Sequence, residues 1–244
     1  MSSLRHDGID YITFLEGLDQ ALGPQGYFEI GTNTGRSLAA FSCDALCVDP
    51  VMQVEGNPVG KRKQLFWMQM TSDEFFRRHT IRHFLPNGPD IAFLDGMHRF
   101  EYLLRDFINT ERECHPRSII LLHDCLPTNT RMAERVPRLD EAEHVSTQGC
   151  WTGDVWRMLP ILRRWRPEMR VVALDCAPTG LVACMNLDPR SRVLDANYYA
   201  IVDAMTKVDL PEYGLERLWT EAEVQSSFAL VGPPYNLTAL FSVF

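Results

Sequence analysis

The chain has 244 residues, 45% of them hydrophobic, and carries 24 Lys and Arg against 32 Asp and Glu for a formal net charge of −8. That length suits one α/β domain with decoration and is short for two independent ones. The acidic balance without a long basic run speaks against nucleic acid, and no stretch nears the roughly 20 apolar residues that cross a bilayer. The N-terminus MSSLRHDGID has no apolar signal core, so the expectation is a soluble, cytoplasmic protein without a membrane partner. Seven cysteines, at 43, 47, 114, 125, 150, 176 and 184, form no C-x-x-C pair, which fits buried reduced thiols better than a zinc site.

Tyr11, Leu15, Leu18 and Leu22 recur at helical spacing after Asp7, which reads as an N-cap. YFEI (27–30), ALCV (45–48) and LFWMQM (65–70) then read as strands. Thr71 and Glu74 make a capping box that starts a helix through DEFFRRHTIRHF, which sets His79 and His83 four apart on what reads as a solvated basic face. DIAFL (90–94) is a short, almost wholly apolar strand, as one covered on both faces should be. Phe100, Leu103, Leu104, Phe107 and Ile108 mark the next helix, and SIILL (118–122) the fifth strand. This alternation predicts a Rossmann-like, doubly wound parallel sheet with helices on both faces.

Residues 125 to 150 hold Pro127 and Pro137 and lack periodicity, so they read as a long connection and a candidate lid. A helix with Val155, Leu159 and Leu162 on its buried stripe follows, then RVVAL (170–174). The Pro-Thr-Gly turn in DCAPTGLVACM is too short for a crossover, so the last two strands form an antiparallel hairpin. Residues 1–190 are therefore read as the main domain including its N-terminal helix. Residues 191–244 are read as a helical extension packed on it, with a helix after Asp195.

Chemistry enters at YFEIGTNTGRS. Gly31 and Gly35 bracket the first strand-to-helix turn, where backbone without Cβ can approach a ligand. Asn33, between them, tolerates positive φ. The spacing E-x-G-x-N-x-G is not the dinucleotide G-x-G-x-x-G, and Glu29 would repel a pyrophosphate. Asp49 closes the second strand; taken alone, it is a turn starter before Pro50 and Glu29 an edge residue.

Together these features resemble the class I S-adenosylmethionine-dependent methyltransferases. The resemblance implies that Gly31, Thr32, Asn33, Gly35 and Ser37 surround the methionine and ribose of S-adenosylmethionine. It implies that Glu29 helps hold the cofactor's ammonium end and Asp49 accepts both ribose hydroxyls. Ser72 and Asp73 would lie at the adenine, beside their plainer role as the start of a capped helix.

FLDGMHRFEYLLRDF and LLHDC place Asp95, His98, His123 and Asp124 on one rim, at the carboxyl ends of strands four and five, where open parallel sheets bind ligands. These stretches are similar to the methyltransferase branch that includes the macrolide sugar O-methyltransferases and many bacterial relatives. The likeness covers roughly residues 24 to 186 and includes WTGDVW (151–156), to which no role attaches. It implies Asp95, His123 and Asp124 as ligands of a divalent metal, Mg²⁺ first with Mn²⁺ or Fe²⁺ as alternatives. It also implies His98 as catalytic base, with Asp95 both at the cofactor and in catalysis. Where that branch tends to present two adjacent acids this chain has His123-Asp124, which leaves ligand count and metal open.

The implied activity is metal-assisted O-methylation of a small hydroxylated acceptor, a sugar, glycan precursor or phenol. Two other readings stand beside it: a non-haem-metal oxygenase using His98, His123 and a carboxylate, and a non-catalytic S-adenosylmethionine-binding module. A homo-oligomer is left open.

Overall fold

The computed structural model describes residues 4–137 and 150–231. Five strands, β1 (Gly26–Ile30), β2 (Asp44–Val48), β3 (Leu65–Met68), β4 (Ile91–Leu94) and β5 (Ile119–His123), pair in parallel. The hairpin of β6 (Arg170–Leu174) and β7 (Leu181–Met185) adds through β7, antiparallel to β5. The order is β3-β2-β1-β4-β5-β7-β6, a doubly wound, mostly parallel sheet ending in an antiparallel pair, as the sequence predicts.

Strand side chains alternate between faces, and each face buries its own cluster. On one lie Phe28, Ile30, Leu46, Val48, Ala92 and Leu94. They pack under α3 (Ser72–Arg78), α4 (Phe100–Glu113) and α5 (Met158–Trp165), which contribute Phe75, Phe100, Leu104, Phe107, Leu159 and Leu162. On the other face Tyr27, Cys47, Ile91, Phe93 and Leu121 meet Phe14, Leu15 and Leu18 of α1 (Tyr11–Leu22) and Leu38 of α2 (Arg36–Ala39). Each such side chain, once fully buried, contributes about 2 kcal/mol. The extension adds α6 (Val193–Ala196), α7 (Tyr198–Thr206), α8 (Leu210–Tyr213), α9 (Leu215–Ala222) and α10 (Phe228–Val231). Leu194, Ile201, Leu210 and Leu218 from these helices are buried in the cluster that α4 and α5 share. Among the described residues no helix is long and apolar enough to cross a membrane.

Two local expectations need correction. The N-cap of α1 is Asp10, which accepts from the Ile12 N–H, not Asp7. Gly8 and Ile9 are engaged as extended backbone against Asp175 and Ala177, so the helix starts only after them. The helix from Thr71 stops at His79, whose φ of −136° and ψ of 166° are extended, and Ile81–His83 forms a separate 3₁₀ turn. His79 and His83 therefore share no helix face; both rings pack beside Phe84. The helix expected after Asp195 is α7, preceded by Asn197, and Asp195 itself lies inside α6, paired with Arg112 and Arg192. The Thr71 cap is as expected: its hydroxyl accepts from the Glu74 N–H at 3.2 Å.

Of the candidate lid, residues 138–149 lie outside the described residues. The flanking part is irregular, with Met132 and Ala133 buried and the Leu126 N–H bonded to the Thr179 carbonyl.

Candidate active site

The carboxyl ends of the parallel strands open on a cavity of about 950 Å³, in the range of small-molecule sites. Gly31, Asn33, Asp49, Ser72, Asp73, Asp95, His98, His123 and Asp124 all line it. The first turn is built for close approach. Gly31 has φ of 91°, and a Cβ there would lie 1.9 Å from the Asp95 carbonyl oxygen. Asn33 and Gly35 also take positive φ, 44° and 81°. Asp49 holds this turn from β2: its Oδ2 accepts from the Asn33 N–H at 2.8 Å and its Oδ1 from the Val51 N–H at 2.7 Å.

Glu29, Thr32, Gly35 and Ser37 are not on the cavity wall. Strand alternation is the reason: Glu29 shares Tyr27's face and pairs in register with Cys47 and Phe93, so it points under α2. Its Oε1 accepts from the Tyr27 hydroxyl at 3.0 Å and from the Ser37 hydroxyl, and its Oε2 is buried without a partner. Burial pushes the carboxyl up to about 7 against the hydrogen bonds of Ser37, Tyr27 and Thr32, which favour the charged form.

The sign of the resulting pH dependence follows. The unfolded chain releases this proton near 4.5, whereas the folded chain keeps it to about 7. Stability therefore falls as pH rises through that window, by about 3 kcal/mol at full extent. Glu29→Gln is expected to make the fall shallower in urea unfolding at stepped pH. A slope identical to the parent's would assign the titration to another group.

The second constellation gathers at the ends of β4 and β5. His98 Nε2 lies 3.1 Å from Asp124 Oδ2 and 3.6 Å from Asp95 Oδ1. His123 Nδ1 lies 3.3 Å from Asp95 Oδ1 and 3.4 Å from Asp124 Oδ1. Asp124 takes the left-handed backbone, φ of 62°, which aspartate tolerates better than most residues and which turns the chain sharply where β5 ends. His123 is the last residue of β5 and faces α1, where the Tyr11 ring packs 4.3 Å from its own.

Charges on these four residues are mutually tuned. Burial alone would raise Asp95, but the charges of His123 and His98 and their hydrogen bonds hold it below the usual carboxylate range. Burial alone would lower His98, but Asp124 and Asp95 lift it to about 9, and the same two acids raise His123.

Among the described residues, the three whose ligating atoms come within 4.8 Å of one another are Asp95, His98 and Asp124. This set differs from the implied Asp95–His123–Asp124 in which histidine it includes.

Sequence reasoning missed three residues here. Asp106 lines the cavity at 3% exposure; burial raises its carboxyl to about 7, a Ser72 hydrogen bond opposes the shift and the Asp73 charge adds to it. Its signal was legible, an acid three residues after Leu103 on the buried stripe of α4. Asp73 itself is taken by Arg105, at 2.9 and 2.6 Å. Trp151 and Asp154, 53 and 54 residues from their partners His98 and Phe100, left no local signal.

A mostly parallel seven-stranded sheet with a terminal antiparallel pair, and a glycine turn held by the acid that follows β2, are the features to set beside known proteins. Residues 28–125 match a family model described as a methyltransferase domain. A methyltransferase of Podospora anserina, solved with SAH bound, superposes with a TM-score of 0.51 at 12% identity, over 73% of this chain and 78% of that one. An O-methyltransferase of Bacillus cereus in complex with SAH gives 0.48 at 16%, over 75% and 84%. Among curated proteins, Protein RecA of Staphylococcus epidermidis is 24% identical over 101 residues, 41% of this chain and 28% of RecA. The chain thus spans under a third of that relative, and no activity is carried across from it.

Proposed function

We propose that the protein is a divalent-metal-assisted O-methyltransferase acting on a small hydroxylated acceptor, such as a sugar, glycan precursor or phenol. The observation that carries this reading is the convergence of Asp95, His98 and Asp124 on the cavity that the Gly31 turn and Asp49 also line.

In this reading Asp49 takes the ribose hydroxyls, Gly31 and Asn33 admit the methionine end, and Ser72 with Asp73 borders the adenine. Glu29, behind the turn and off the cavity wall, would act on the ammonium end only through the turn it supports from below with Ser37. Asp95 and Asp124 would supply carboxylate oxygens, donors that suit Mg²⁺ or Mn²⁺, which leaves the His98 Nε2 lone pair for the proton. Asp95 and Asp124 would hold the cation, which would supply a Lewis acid that lowers the pKa of the acceptor hydroxyl. The charges of Asp124 and Asp95 raise the His98 pKa; with those charges neutralised by a cation, its Nε2 would be free to take the acceptor's proton. In-line transfer would require the cavity to hold oxygen, methyl carbon and sulfur in a row, a positioning effect. The acceptor is a small molecule rather than nucleic acid or a membrane, and residues 191–231 belong to the same domain.

The test is methyl transfer from labelled S-adenosylmethionine to panels of glycosides and catechols. Transfer that chelator abolishes and Mg²⁺ or Mn²⁺ restores is the expected result. Transfer indifferent to chelator removes the metal from the proposal. Iron- and oxygen-dependent hydroxylation would instead make the protein an oxygenase. Cofactor binding without transfer to any acceptor would make it a binding module.

A further inference from the structure

The segment Trp151–Asp154 grips His98 at four points. The Trp151 carbonyl lies 2.8 Å from His98 Nδ1, and a carbonyl only accepts, so Nδ1 must carry the proton. The indole stacks on the imidazole, centroids 5.0 Å apart and planes 27° from parallel. Behind them the Asp154 N–H donates to the His98 carbonyl at 3.2 Å. Gly153, at φ of 58°, fits only because it lacks a side chain, since a Cβ would lie 1.9 Å from the His98 carbonyl oxygen.

The same segment anchors both of its own ends. Arg99, the residue before α4, supplies no side-chain cap; instead the Asp154 carboxylate accepts from the Phe100 N–H at 2.8 Å. It also pairs with Arg135 at 2.6 Å and Arg157 at 2.8 Å. The Trp151 indole N–H is fixed by the Glu134 carbonyl at 2.6 Å. A loop of glycine and histidine between β4 and α4 has little rigidity of its own, and this brace supplies it.

We infer that Trp151–Asp154 is a positioning element for His98: it holds the ring as the Nδ1–H form, so that Nε2 is the nitrogen turned to Asp95, Asp124 and the reacting hydroxyl. Fixing one nitrogen by a carbonyl so that the other works is a general device of histidine sites. WTGDVW thereby acquires a role: tryptophan for the plane and the carbonyl, glycine for the approach, aspartate for the anchor. The inference rests on the proposed place of His98 beside the acceptor. Its test needs neither acceptor nor cation, so it fails separately from that reading.

The full chain, metal-free and labelled with ¹⁵N-histidine, is observed by long-range ¹H–¹⁵N NMR at pH 10, where a neutral ring keeps one proton; His98→Gln identifies the signal. The parent is expected to show His98 as the Nδ1–H form. Trp151→Leu, which keeps the carbonyl, should retain that form. Gly153→Ala, which pushes the carbonyl away, should lose it while S-adenosylhomocysteine affinity changes by less than about twofold. A general loss of packing would instead lower that affinity and leave no selective change at His98. An Nε2–H form in the parent overturns the inference, as does a folded Gly153→Ala protein with the Nδ1–H signal intact. Should Gly153→Ala not fold, the parent spectrum and Trp151→Leu decide the matter.

Discussion

Asp49→Ala is expected to weaken S-adenosylhomocysteine binding by about 100-fold in calorimetry, equivalent to about 2.7 kcal/mol. Two effects combine. The carboxylate that would take both ribose hydroxyls disappears, and charged acceptors contribute about 1.5–3 kcal/mol per hydrogen bond. The Asn33 and Val51 N–H groups also lose their acceptor, so the Gly31–Gly35 turn is no longer held from this side. Asp49→Asn keeps one acceptor oxygen and should lose about tenfold. The sheet does not depend on this side chain, because β2 is held by β1 and β3, so the variant should remain folded by circular dichroism. Unchanged affinity in folded Asp49→Ala would remove the ribose assignment and with it the placement of the cofactor.

Asp124→Asn should change the metal-free protein most between pH 6.5 and 9. In the parent, burial lowers the His98 pKa but the Asp124 charge, followed by Asp95, raises it to about 9. A histidine whose folded pKa exceeds its unfolded value stabilises below the unfolded pKa. That stability is lost as pH rises through the folded pKa. The parent is thus expected to lose on the order of 3 kcal/mol from His98 across this window, with His123 acting in the same direction. Asp124→Asn removes the leading opposing charge and leaves burial in command. It should be less stable than the parent near pH 6, with the gap closing toward pH 9, as read by urea midpoints. It should also abolish chelator-sensitive methyl transfer. Parallel curves for parent and variant would mean that Asp124 and His98 are not electrostatically linked. At the acid end the depressed Asp95 works the other way: its stabilisation holds above its ordinary value of 3.8 and is lost as pH falls below it.

Much of this was readable beforehand because it is local. The sheet follows from short apolar runs alternating with helical stripes, and the hairpin from a turn too short to cross over. Gly31 and Gly35 were legible because positive φ has few occupants, and Asn33 is one of them. Asp49, Asp95 and Asp124 follow strand ends, and strand ends on a parallel sheet share one rim.

By itself the sequence determined the fold class, the rim and the residue types on it, since periodicity and turn chemistry act over a few neighbours. Tertiary structure alone decided which way those residues face and what holds them. Glu29 stands behind the turn because one step of strand alternation separates it from the cavity. Both His98 and His123 reach the two acids, and only packing shows that the His123 ring also lies against Tyr11 of α1. The brace at Trp151–Asp154 exists only once residues 53 and 54 positions apart are brought together, and packing, not local propensity, brings them there.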